Sequence, residues 1–79
     1  MLVNGTEASS RDLAMLAAQL ARNGEHNLAT RIGFAIDRNR NDLVLGHQEA
    51  RLIVPLMEGQ LGLAALRACL VALHPWRAT

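Results

Sequence analysis

At 79 residues the chain suffices for one thin core and excludes a second domain. Its net charge of +1 argues against a polyanion held by charge alone, and its single cysteine, Cys69, excludes an internal disulfide. Apolar residues make up 51% of the chain but aromatics only 3%, and the apolar positions are mostly Leu and Ala on a helical period. This composition predicts all-α packing, because strands favour the β-branched and aromatic residues that are scarce here. All eight cations are arginine, the bias of a GC-rich bacterial coding sequence. Met1-Leu2-Val3 runs straight into Asn4-Gly5-Thr6-Glu7 with no apolar core of signal length, and the lone cysteine suits a reducing compartment, so a cytoplasmic protein is expected. The longest apolar stretch, residues 61–73, is too short to span a bilayer and contains Arg67, so no membrane partner is expected.

The first helix starts at Ser9 or Ser10, where Ser9-Ser10-Arg11-Asp12 places a hydroxyl three residues before a carboxylate. Leu13, Leu16, Ala17 and Leu20 form its apolar stripe, and Asn23-Gly24 ends it. The second helix runs from about residue 25 to residue 38 with Leu28, Ile32, Ala35 and Ile36 inward. Its Ala29 and Gly33, one turn apart, leave room for a close helix neighbour.

Residues 37–42 are polar and turn-forming, and Leu43-Val44-Leu45 reads as a short extended segment lying on the core. The third helix begins near Gly46, with Glu49 in its first turn, and reaches Glu58, kinked by Pro55. Gly59 closes it. Gly62 then caps a fourth helix, with Leu61 and Leu66 as a hydrophobic staple, Leu63, Leu66, Leu70 and Leu73 inward, and Pro75 stopping it after His74. The expected architecture is a small bundle of about four helices in two hairpins: hairpin 9–38, linker 39–46, hairpin 47–74 and a short C-terminal tail. Gly24 and Gly59 sit at matching turns, a faint sign of internal duplication. A competing arrangement pairs residues 43–45 with 51–54 as a β-hairpin, since Ile53 and Val54 are β-branched.

The order of features resembles a group of short helical proteins from high-GC actinobacteria. The matching pieces are residues 16–28 around Gly24, then Leu43-Val44-Leu45-Gly46-His47-Gln48-Glu49-Ala50-Arg51, Leu63-Ala64-Ala65-Leu66-Arg67 and His74-Pro75-Trp76-Arg77. Pro55 and the turn at 60–62 depart from that pattern. The resemblance implies an all-helical bacterial protein and brings no activity with it.

No catalytic or metal pattern stands out. His26, His47 and His74 are spread too widely for ligand spacing, and Gly59-Gln60-Leu61-Gly62 lacks the lysine and preceding strand of a phosphate loop. The carboxylates show no pairing, and Cys69 reads as a half-buried structural thiol without a nearby base. No cofactor and no enzyme activity are expected. The expected function is a protein–protein interaction or regulatory module, self-associating as a homodimer or binding another protein. Helix 3 spreads Leu52, Ile53, Val54, Leu56 and Met57 over a broad arc, which places Val54 and Met57 near a dimer seam, and helix 4 shows Val71 and Ala64 away from its Leu stripe; Trp76, outside the last helix, either folds back on the core or docks into a partner. The alternative is a helix-turn-helix nucleic-acid binder, whose second helix presents His26, Asn27, Thr30, Arg31 and Arg38 to a groove.

Overall fold

The fold, a computed structural model, is described for residues 1–38 and 42–73. It is a small all-α bundle of four helices, with one addition at its N-terminus. Residues Leu2–Val3 (β1) and Thr6–Glu7 (β2) form an antiparallel hairpin across Asn4-Gly5. Asn4 and Gly5 have φ of 50° and 82°, the paired positive values that a two-residue hairpin turn demands and that Asn-Gly supplies most readily. Asp42–Leu43 (β3) lies parallel to β1, with Val3 opposite Leu43, giving the order β2-β1-β3. Of the segment expected to lie extended on the core, Leu43 is in the strand, while Val44 and Leu45 follow it outside the ladder. The competing β-hairpin is not formed, because its second half is helical.

Ser10–Arg22 (α1) and His26–Asp37 (α2) make the first helical hairpin. The Asp12 N–H donates to Ser9 Oγ at 3.0 Å, and Ser9 Oγ donates to the Asp12 carboxylate at 2.9 Å, so the cap forms where the sequence put it. Gly24, at φ 85°, takes the left-handed turn that a side chain would oppose. Leu13, Leu16 and Leu20 from α1 join Leu28, Ile32 and Ala35 from α2 in a single core.

His47–Ile53 (α3) begins with the Gly46 N–H donating to Glu49 Oε1 at 2.7 Å. The helix does not continue to Glu58 with a kink. It ends at Ile53 and tightens into a 3-10 turn over Val54–Met57, with Pro55 in the first positions, where no N–H is required. A second 3-10 turn, Leu61–Leu63, leads into Ala64–Ala72 (α4). Gly62 thus lies inside that turn rather than capping α4, and Leu61 is 89% exposed, so the expected staple to Leu66 is absent.

The broad apolar arc of the third segment is explained by its position. The Val54–Met57 turn packs against both α1 and α4, so two of its faces are interior. Val54 is 5% exposed and Met57 1%. These two residues belong to the monomer core, which corrects their expected place at a dimer seam. Among the described residues no helix is long and apolar enough to cross a membrane.

Candidate functional site

The helical period that turns Leu28, Ile32 and Ala35 inward carries His26, Asn27, Thr30, Arg31 and Arg38 outward, and all five are exposed. The structure thus brings the expected polar set onto one face of α2. At the centre of that face stands Phe34, the chain's only phenylalanine, 54% exposed. Sequence reasoning passed over it, although its spacing was visible: it lies one turn beyond Thr30 and Arg31 and one turn before Arg38. The Arg38 guanidinium sits over the ring at 5.1 Å from its centroid, a cation–π contact.

Arg31 is committed elsewhere. Its Nη1 forms an ion pair with Glu49 Oε2, and its Nη2 donates to the Val44 carbonyl at 3.2 Å. One guanidinium therefore ties α2 to the β3–α3 connection, and Glu49 is shared between that tie and the N-terminus of α3. The contact also sets Val44, 68% exposed, beside the α2 face. The resulting surface is an aromatic ring and a valine ringed by amide, hydroxyl, imidazole and guanidinium groups. Its formal charge is close to balanced, because Glu49 answers Arg31 and exposed Asp37 adjoins Arg38.

The other expected residues fall apart in space. Val54 and Met57 are buried, and Val71 is half-buried against the core. Trp76 and His74 lie outside the described residues. Cys69 is half-buried, as expected, with Sγ 3.8 Å from the Asn4 carbonyl oxygen. Among the described residues no three His, Cys, Asp or Glu side chains come together in a way that could hold a metal ion. Compared with known proteins, the chain matches no family profile, no curated protein and no solved structure.

Proposed function

We propose that the chain is a small helical interaction module that holds a partner protein against the outer face of α2, with no catalytic step of its own. The observation that carries this is Phe34. A chain with two aromatic residues and a thin core leaves its phenylalanine outside, backed by a stacked arginine. Aromatic and arginine side chains are enriched where protein interfaces concentrate their binding energy. The near-balance of charge on the face favours a protein over a phosphate backbone, which is bound by uncommitted cations.

Size limits the strength of the contact. A 12-residue helix is about 18 Å long and offers roughly 200 Å² on one face, against about 800 Å² per partner in a standard interface. The partner must therefore spread beyond α2, over Val44 and the β3–α3 connection, or bind transiently. The same limit disfavours a homodimer built on two copies of α2 alone. A cytoplasmic location goes with this reading, since a half-buried free thiol suits a reducing compartment.

Quantitative affinity capture with wild-type and Phe34→Glu baits tests the proposal. A partner retained by wild type and by the surface control Gln48→Ala, but lost with Phe34→Glu, supports it. The second reading, nucleic-acid binding, rests on the same exposed His26, Asn27, Thr30, Arg31 and Arg38. Gel shifts on mixed DNA and RNA at low salt decide it: binding that falls steeply with salt and is lost in Arg38→Gln favours nucleic acid.

A further inference from the structure

The chain contains two Asn-Gly dipeptides, Asn4-Gly5 and Asn23-Gly24, and the fold holds them differently. Asparagine followed by glycine is the pair most open to spontaneous deamidation, because no side chain shields the glycine nitrogen from the carboxamide. That nitrogen gives up its proton to hydroxide and attacks the asparagine Cγ. The new N–Cγ bond closes a five-membered succinimide, the Cγ–Nδ2 bond breaks, and Nδ2 takes a proton from water and leaves as ammonia. Water then opens the ring at either carbonyl. The product is aspartate or isoaspartate, the second with its main chain routed through the side-chain carboxyl.

In both pairs the glycine sits at positive φ in a turn, but the two carboxamides are restrained over different ranges. Asn4 is half-buried, and both of its polar atoms are engaged by one residue 41 positions away. Its Nδ2 donates to the Leu45 carbonyl at 3.0 Å, and the Leu45 N–H donates to its Oδ1 at 2.7 Å. A flat carboxamide fits this pair of bonds. The tetrahedral carbon that ring closure requires does not, so attack waits until the clamp opens. Asn23 is exposed at the end of α1, where its Nδ2 donates to the Gln19 carbonyl at 3.0 Å. That bond is local, and helix ends open at low cost.

We propose that Asn4 is a deamidation site closed by the folded state, so that its conversion irreversibly marks each molecule whose β1–β3 pairing has opened. Asn23, without a long-range clamp, reacts in the folded protein and serves as an internal reference. Conversion at Asn4 also opposes re-pairing, since it replaces the Nδ2 donor with a carboxylate oxygen facing the Leu45 carbonyl. Leu45 adjoins Val44, whose carbonyl accepts from Arg31, so the change loosens the β3–α3 connection at its other end.

The test is peptide mapping by mass spectrometry during incubation in mildly alkaline buffer, with the folded protein and with the chain in guanidinium chloride. In denaturant the two Asn-Gly pairs are expected to react at similar rates. In the folded protein Asn4 is expected to react at least about tenfold more slowly than in denaturant, a factor two ordinary hydrogen bonds supply, with Asn23 slowed less. Guanidinium below the unfolding transition should raise the Asn4 rate in step with hydrogen exchange at the Leu45 amide, whose N–H belongs to the clamp. The proposal is overturned if Asn4 reacts as fast in the folded protein as in denaturant, or if Asn23 is slowed as much as Asn4. It is equally overturned if the Asn4 rate stays flat while exchange at the Leu45 amide accelerates.

Discussion

Asn4 extends the β1–β3 pairing with its side chain. Asn4 Nδ2 donates to the Leu45 carbonyl at 3.0 Å while the Leu45 N–H donates to Asn4 Oδ1 at 2.7 Å. The amide thus replaces a peptide unit at the point where the main chain has turned away into its positive-φ bend, and the Asn4 N–H meanwhile donates to the Leu43 carbonyl at 2.8 Å. Few side chains offer a donor and an acceptor at this reach and also tolerate positive φ. Asn4→Ala is expected to lower unfolding free energy by about 1–3 kcal/mol, since it orphans both groups of Leu45 and strains the turn. Asn4→Asp, which keeps the acceptor but sets a carboxylate against the Leu45 carbonyl, should fall in the same range. Urea melts give the energies, and faster hydrogen exchange at the Leu45 amide shows that the loss is local.

Met57 separates the core from the surface. A surface seam would let Met57→Glu leave the fold intact and change only the oligomeric state. At 1% exposure the same substitution buries a carboxylate with no partner, and the protein is expected to lose its cooperative thermal transition. Met57→Ala should cost about 2–5 kcal/mol. Circular dichroism melts read both outcomes. A folded, stable Met57→Glu protein would place this residue outside the core.

Pro55 is expected to stabilise the fold where it stands. It occupies the start of the 3-10 turn, where a missing N–H costs nothing and its fixed φ is already correct. Pro55→Ala should therefore lower stability by about 0.4–1 kcal/mol, chiefly by freeing the unfolded chain. A rise in stability would mean that the proline interrupts an otherwise continuous helix.

The helical part of this fold was legible in the sequence because its signals are local. The Ser9 cap, the Gly24 turn and the stripes through Leu13–Leu16–Leu20 and Leu28–Ile32–Ala35 each need only neighbours within a few residues. The sheet was not legible in the same way. Asn4-Gly5 is a strong hairpin signal, but strands of two residues carry no alternation to reveal them, and β3 finds β1 across the whole first hairpin. The Val54–Met57 arc was misassigned because a helical wheel reports how wide an apolar face is, not how many neighbours cover it. The polar face of α2 followed directly from periodicity. Phe34 was not legible within it, because a lone apolar residue among polar ones carries no pattern that separates an exposed ring from one folded onto the core.

In the function proposed above, Phe34 serves recognition rather than the fold. Equilibrium urea unfolding of Phe34→Gln measures this without knowledge of any partner. The ring is half in water and, among the described residues, its cation–π contact is with an exposed Arg38, so the substitution is expected to cost no more than about 1 kcal/mol and to leave the slope of the transition unchanged. A loss of about 3 kcal/mol or more, the cost of removing a core phenylalanine, would contradict the account and return Phe34 to the structural interior.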